Sequence, residues 1–311
     1  MRALACCLTI ALLAPRSAHA QKFLYWTQGE AGTVHRADML GGGSMVISSG
    51  TPHPYGVTVD PVGAKVYWTH IVPNAFPDRG RIFRSNLDGG DITVFAERPG
   101  LPIKVAVAHT LGKVYWTQGF SSSTGPGRVM RSNLDGTGAE TLVTGGSPHD
   151  LFLDEVTGRM YWSDYQGRVR RANLDGSAAI DLVQAPSNVL GLAVDLGADR
   201  MYWVALQSGS TGRDIRTSRL DGSGQQTLIP NVHAEANGLD VDPDAGMLYW
   251  SEAFGIKRSN LNGGGIELVV PRNYEPYGQD VQVVIVPEPT AWAALSVAPA
   301  ILALRRGRRI G

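Results

Sequence analysis

The chain has 311 residues, as many acidic as basic side chains, and a formal net charge of zero. That balance excludes the basic stripe with which a protein holds nucleic acid. Its 38 glycines and ordinary hydrophobic share suit an all-β protein with many tight turns rather than a disordered chain.

Residues 1–20 read as a secretory signal peptide. Arg2 supplies the positive end, Ala3 to Ala14 is apolar, and Ala18-His19-Ala20 ends in small residues, which places cleavage before Gln21. Cys6 and Cys7 are the only cysteines and lie in this segment. The processed chain is therefore expected to have no disulfide, no thiolate metal site and no cysteine nucleophile.

From Gln21 a repeat takes over. Tyr-Trp pairs stand at Tyr25-Trp26, Tyr67-Trp68, Tyr115-Trp116, Tyr161-Trp162, Tyr202-Trp203 and Tyr249-Trp250, spaced 41 to 48 residues apart. This is the period of a propeller blade. Each repeat predicts four strands. The first is an alternating apolar run ending in Asp, as in Gly56-Val57-Thr58-Val59-Asp60 or Gly191-Leu192-Ala193-Val194-Asp195. The second carries Tyr-Trp. The third ends in Asn-Leu-Asp-Gly, as at Asn86 to Gly89, Asn133 to Gly136 and Asn173 to Gly176, where glycine provides the positive φ of a hairpin. The fourth is a short β-branched or apolar run such as Ile92-Thr93-Val94-Phe95. Adjacent Tyr and Trp face opposite sides of their sheet, so both sides need cover. A ring of blades, each between two others, provides it.

The repeat is permuted at its ends. Gln21 leads directly into a Tyr-Trp strand, and the missing first strand is expected at Pro276 to Val284, whose Pro276-Tyr277-Gly278 matches Pro54-Tyr55-Gly56. The fold expected is an all-β, six-bladed propeller of four-stranded antiparallel blades over residues 21–285, with the C-terminal strand completing the first blade and closing the ring.

These repeats resemble the YWTD six-bladed propellers of the low-density lipoprotein receptor family, over about residues 23–284. Six Tyr-Trp copies with five Leu-(Asp/Asn)-Gly turns carry the resemblance. The motif's fourth position is Asp only at Asp164; Gln28, His70, Gln118, Ala205 and Glu252 fill the others. A hydrogen-bond network built on that Asp is thus expected to be incomplete. Residues 286–311 resemble a PEP-CTERM sorting signal: Pro287-Glu288-Pro289, a short apolar segment from Ala291 to Leu304, and the basic Arg305-Arg306-Gly307-Arg308-Arg309. The resemblance implies a Gram-negative secreted or envelope protein, processed near Pro-Glu-Pro by an exosortase-type enzyme after transient membrane insertion of the C-terminal helix, and an exopolysaccharide context.

The chain contains no G-x-S-x-G, H-E-x-x-H, P-loop or Rossmann fingerprint. Asp240 to Gly246 is similar to a calcium loop, but its glycine is one place late and Ser251 stands where the twelfth-position Glu belongs, so Asp242 reads as a strand-end Asp. Aligning the first strands with one another puts Thr58, Val107, Phe152, Ala193, Asp240 and Asp280 at equivalent positions, which makes Asp240 and Asp280 weak candidates for a shared cation or proton. The same alignment puts Tyr55, Lys104, His149, Leu190, Asn237 and Tyr277 at the channel mouth. No cofactor is expected, and the chain is expected not to be an enzyme; the alternative is a calcium-dependent, lactonase-like propeller hydrolase.

The expected function is a non-enzymatic binding or scaffold propeller whose ligand is a protein or an exopolysaccharide. The connections between second and third strands, and between each fourth strand and the next first strand, share one face and vary in length. The candidate binding residues there are Tyr55, Phe76, His149, Tyr165, Asn237 and Tyr277, because aromatic anchors on loops of a rigid scaffold are typical of binding sites. His53, His233, Phe254 and Tyr274 are expected nearby.

Overall fold

The computed structural model describes residues 21–51, 53–71, 80–97, 100–120, 125–209, 211–271 and 280–286. The signal peptide, Phe76, Tyr274, Tyr277 and Pro287-Glu288-Pro289 with the segment after them lie outside these residues. Lys22–Val284 forms one compact unit; of the other, 1–21 with 285–311, only Gln21, Ile285 and Val286 are described.

Six four-stranded antiparallel sheets follow one another in chain order, and the strands within each meander from the first to the fourth. The exception is the first blade, where the last strand, Val281–Val286, lies beside the first, Gln21–Gln28. The ring therefore closes as expected, through a closing strand described as Val281–Val286; Pro276 to Gln279 lie outside the described residues. The innermost strands are this one and Pro54–Asp60, Pro102–Ala108, Pro148–Asp154, Val189–Asp195 and Leu239–Asp242. Those of the second to sixth blades contact one another in sequence around the axis.

The Tyr-Trp pairs explain why the ring is the stable unit. No Tyr or Trp of the six pairs is more than 3% exposed. From the second blade onward each seam joins the Tyr of one blade to the Trp of the next: Tyr67 with Trp116, Tyr115 with Trp162, Tyr161 with Trp203, and Tyr202 with Trp250. The same contact crosses the closure, where Tyr249 packs with Trp26 and with Val281 of the closing strand. A single blade would expose both its Tyr and its Trp, and a large apolar side chain gains about 1.5–3 kcal/mol on full burial.

The seams are also clasped at their outer edge. Arg36, Arg84 and Arg131, on third strands, donate to the carbonyls of Leu87, Leu134 and Leu174, the leucines of the next blade's Asn-Leu-Asp-Gly turn. Arg258 does the same across the closure, to Met39. In those turns Gly89, Gly136, Gly176, Gly222 and Gly263 have φ between +83° and +86°. A Cβ on Gly89 would strike the Ile47 carbonyl of the preceding blade, so both conformation and space require glycine there. The strand-end acids cap their own turns: Asp60 accepts from Gly63 N, Asp154 from Val156 and Thr157 N, Asp195 from Ala198 N, and Asp242 from Ala245 N. Asp242 is thus a turn cap, further paired with Lys22 at 2.6 Å across the closure.

Asp164, the single Asp at the fourth motif position, is fully buried. It accepts from Ser147 N and Gln166 N and pairs with Arg168 at 2.7 Å. Glu252 repeats the arrangement with a longer arm, accepting from His233 N and pairing with Lys257 at 2.8 Å, and also takes the Trp250 indole N–H. The network is therefore carried by two blades, one of them through a residue the motif does not contain.

Candidate functional site

The mouth of the channel is built by a bulge in the innermost strands. Pro54 lies opposite His70 and Val57 opposite Trp68, so Tyr55 and Gly56 together oppose Thr69. The third and fourth blades repeat this with Ile103-Lys104 against Thr117 and His149-Asp150 against Ser163. The fifth has Leu190-Gly191 against Val204. Proline at the strand start cannot donate to the ladder, and a bulge re-aims the residues that follow it. Two consecutive residues of each strand thereby turn toward the channel.

The motif's third residue fixes this geometry. Thr69, Thr117 and Ser163 accept the N–H of Gly56, Lys104 and Asp150. Thr27, Thr69 and Thr117 then donate to the carbonyls of Tyr55, Ile103 and His149, the mouth residues of the next blade, at 2.6–2.8 Å. One hydroxyl therefore holds a bulge and the neighbouring bulge together. Val204 has no hydroxyl with which to do this in the fifth blade.

The observed pairing corrects the alignment of two strands: Ala106, not Val107, lies opposite Tyr115 as Thr58 lies opposite Tyr67. Asp280 N donates to Thr27 Oγ1 as Gly56 N does to Thr69, so Asp280 belongs to the ring of Gly56, Lys104 and Asp150. Asp240 lies opposite Tyr249 as Thr58 lies opposite Tyr67, two residues deeper. Lys104 therefore sits one layer below Tyr55, and Ile103 takes the mouth position. Asp240 and Asp280 are in neighbouring blades but not at equivalent positions.

The lower ring is an ionic plug. Lys104, Asp150 and Asp280 are all under 9% exposed. Lys104 Nζ pairs with Asp280 and lies 3.7 Å from Asp150. Burial opposes the charge on Lys104, but Asp280 and Asp150 outweigh it and raise its pKa. Burial pushes the Asp150 carboxyl up to about 6 against the pull of Lys104. Each carboxylate also binds two blades. Asp280 accepts from Val281 N and Val57 N, Asp150 from Leu151 N and Leu192 N, and the deeper Asp240 from Val241 N and Val283 N, all at 2.7–3.0 Å. Desolvation inside the channel raises Asp240 to about 7 despite those donors. The acids are engaged as inter-blade latches, and no group of three or more metal-ligating side chains occurs among the described residues.

Above the plug stands the upper ring, where Tyr55, His149, Tyr165 and Asn237 come together as the sequence suggested. Tyr55 Oη is 2.9 Å from His149 Nε2, and Tyr55 also interacts with the side chains of Asn237 and Tyr165. The His149 and Tyr165 rings are 5.2 Å apart. Burial, then Arg213 and Lys104, lowers His149 to about 3, so its imidazole is neutral at physiological pH. Two atoms of this ring, His149 Nδ1 and Asn237 Oδ1, are among the buried side-chain polar atoms that have no partner among the described residues, as are the indole nitrogens of Trp26, Trp68, Trp116 and Trp203. Both residues line a cup with about 220 Å³ of atom-free space, part of it open to solvent, together with Tyr55, Lys104, Asp150 and Asp280. Its water-accessible volume is only about 10 Å³, room for about one water molecule and far below the ~300–1,000 Å³ of a site for a drug-sized molecule.

Arg213 was not signalled by any motif. It begins the third strand of the fifth blade, donates to the Ala236 carbonyl beside Asn237, and keeps a buried, unpartnered Nε. Exposed aromatics stand on three of the connections at this face: Phe120 (61% exposed), Tyr165 (40%) and Phe254 (53%), the last edge-on to His233.

No family model matches the chain. Its six-bladed propeller is shared with solved structures. A chain from the crystal structure of a nidogen/laminin complex superposes with a TM-score of 0.70 at 19% identity, covering 84% of this chain and 98% of that one. TolB from Acinetobacter baumannii gives a TM-score of 0.65 at 14% identity, covering 86% of this chain and 67% of that one. At these identities the likeness is one of fold. In sequence, the chain is 30% identical over 160 residues to low-density lipoprotein receptor-related protein 1 of Pyricularia oryzae, covering 44% of this chain and 52% of that protein. It is 29% identical over 172 residues to vitellogenin receptor Yl of Drosophila melanogaster, covering 40% of this chain and 8% of the receptor. The chain thus spans about half or less of the length of these relatives.

Proposed function

We propose that this chain is a secreted or envelope-anchored propeller of the YWTD type that binds its ligand without transforming it, on the face of the channel mouth. The observation that carries this is the upper ring: Tyr55, His149 and Asn237 are held by a hydroxyl-stapled scaffold at the channel mouth, with the exposed aromatics Phe120, Tyr165 and Phe254 on the connections of the same face. Aromatic side chains on the loops of a rigid scaffold are suited to anchoring a ligand. The engagement of Asp150, Asp240 and Asp280 by backbone N–H groups and Lys104 favours binding over a lactonase-like calcium site.

The ligand is an extracellular protein or an exopolysaccharide. The names of the relatives, a vitellogenin receptor and a lipoprotein receptor-related protein, and the nidogen/laminin complex support an extracellular binding role. Residues 1–20 and the Pro287-Glu288-Pro289 segment support export through a signal peptide and sorting by an exosortase-type enzyme. The test is to incubate the host's surface proteins and exopolysaccharide with the protein and with its Tyr55→Ala and Tyr165→Ala variants. Retained folding with lost binding is expected; binding that survives both changes contradicts a mouth-face site.

A further inference from the structure

The end of the channel away from the mouth raises apolar side chains into solvent blade after blade. The turns between first and second strands, 61–64, 109–112, 155–158 and 196–199, expose Val62 (56%), Leu111 (48%), Val156 (92%) and Leu196 (39%). Singly scattered aliphatics need no account. These stand on successive blades, in equivalent turns, around one end of the axis. Resting on the envelope-anchored reading above, we infer that this end of the ring docks on the headgroup layer of a lipid membrane, with these four side chains seated in it and the mouth turned away.

Three observations lead there. The first is that the tips form one rigid surface. His109 Nδ1 lies 2.8 Å from Asp60 of the blade before it, and Thr110 donates to Glu155 of the blade after it. Leu134 N and Leu174 N donate to the carbonyls of Gly112 and Gly158, which ties those turns to the outer turns of their own blades. The tips differ in residue and in place within the turn and share only their aliphatic character. That is what a lipid layer, which has no fixed shape, asks of a protein.

The second is charge. Each turn is followed at once by a cation, Lys65, Lys113, Arg159 or Arg200, the first residue of its Tyr-Trp strand. An aliphatic tip backed by Lys or Arg suits the acyl boundary and the phosphates above it. A second copy of this end would bring cation against cation instead. The acids of these turns are engaged: Glu155 by Thr110, Asp199 by Arg219 at 2.8 Å, and Asp244 of the sixth blade by Lys22 at 3.1 Å. Asp91 lies 3.6 Å from Lys65, and Asp88, Asp135, Asp175 and Asp221 keep carboxylates on the outer rim. The end as a whole therefore has no cationic field, and a zwitterionic lipid is the fitting surface.

The third is the path of the chain. Lys22 enters the ring beside Asp242 and Asp244, at this end. Val284 follows Asp280 by as many residues as Asp60 follows Gly56, so the chain also leaves the ring here. Residues 285–290 then lead to the apolar Ala291 to Leu304. Six residues reach at most ~20 Å, so insertion of that segment draws this end, and not the mouth, to the bilayer.

The test uses the full chain carrying Val156→Cys labelled with nitrobenzoxadiazole, the label located by mass spectrometry. Val94→Cys on an outer strand and Tyr165→Cys at the mouth are labelled as comparators. The probe is a vesicle of phosphatidylcholine and phosphatidylethanolamine, with and without brominated acyl chains. Vesicles should blue-shift the label at 156 and brominated lipid should quench it, while labels at 94 and 165 do not respond. Val62→Asp together with Leu111→Asp should abolish the response at 156 with the melting curve kept. Vesicle-bound protein whose label at 156 stays silent, or responds less than that at 165, overturns the docking and leaves the envelope-anchored reading standing. A full chain that does not bind vesicles overturns both. A blue shift at 156 that grows with protein concentration in the absence of lipid assigns this end to a second copy and overturns the lipid docking.

Discussion

The two ends of the channel solve different problems. At the end away from the mouth the blades face the same task, and four of the six meet it with the same strand-end Asp, the third blade's strand ending in Ala108 instead. Asp60, Asp154, Asp195 and Asp242 cap equivalent turns, and a positive-φ glycine follows each Asn-Leu-Asp-Gly or variant turn. At the mouth the backbone is equally repetitive, with the same bulge and the same hydroxyl staple, but the side chains it projects differ from blade to blade. The upper ring holds Tyr55, Ile103, His149, Leu190 and Asn237, and the lower holds Gly56, Lys104, Asp150, Gly191, Gly238 and Asp280. Uniform backbone with varied side chains is the arrangement of a scaffold that presents a surface. Uniform backbone with uniform side chains is that of a scaffold alone.

The largest effect should come from opening the ring. Deleting 280–286 removes Val281 from the Tyr249–Trp26 seam and Asp280 from Lys104, and leaves an open sheet edge. Calorimetry should show loss of the cooperative transition of the whole ring; a stable monomer would break the closure. Next comes the plug. Lys104→Met leaves Asp280 and Asp150 buried without their cation, which should cost about 3–5 kcal/mol in urea unfolding at neutral pH. The loss should shrink below pH 6, where Asp150 takes up a proton.

The staple is smaller in effect. Thr117→Val strands the Lys104 N–H and the His149 carbonyl, a loss of about 1–3 kcal/mol. Because His149 is displaced with its carbonyl, ligand affinity should fall too, which separates this position from an ordinary core site. Val204 in the fifth blade shows that the ring tolerates one seam without the hydroxyl.

Asp240 gives an effect that is read only as a pH dependence. Its folded pKa of about 7 lies above the ~3.9 of a free Asp carboxyl. A raised folded pKa means that its contribution to stability is fully present below about pH 4 and is lost as pH rises through 7. Compared with Asp240→Asn, the parent should therefore lose stability between pH 4 and 7 and run parallel above it. A difference that grows in the parent's favour with rising pH would contradict the sign.

The ring, its blade number and its closure were legible because they rest on residues that recur: Tyr-Trp at a fixed period, and a first-type strand absent at one end and present at the other. Tyr55, His149, Tyr165 and Asn237 drew attention because aromatic and polar residues at strand starts and loop tips stand out against an apolar repeat, and the fold brings them together. Lys104 and Asp280 were misaligned, because their strands lack the terminal Asp that sets the register of Pro54–Asp60, Pro148–Asp154, Val189–Asp195 and Leu239–Asp242. Pro54, Pro102 and Pro148, each three residues before the Val or Leu opposite a Trp, are the signal that fixes the register. Arg213 had no such signal: its importance comes from the Ala236 carbonyl and the Tyr55–His149 pair, which are distant in sequence and meet it only in the fold.

The contrast between the two ends can be tested within one blade. Tyr165 lies on the mouth-side connection of the fourth blade, and Asp175 in its turn at the other end, where it accepts from Ser177. Tyr165→Ala and Asp175→Ala are compared side by side for melting temperature and for affinity to the exopolysaccharide or surface protein captured from the host. The expected result is a Tyr165→Ala variant that melts like the parent and binds about ten-fold more weakly, and an Asp175→Ala variant that binds like the parent. Affinity lost through Asp175→Ala and kept through Tyr165→Ala would place the ligand at the opposite end of the channel and contradict the division of roles between the two.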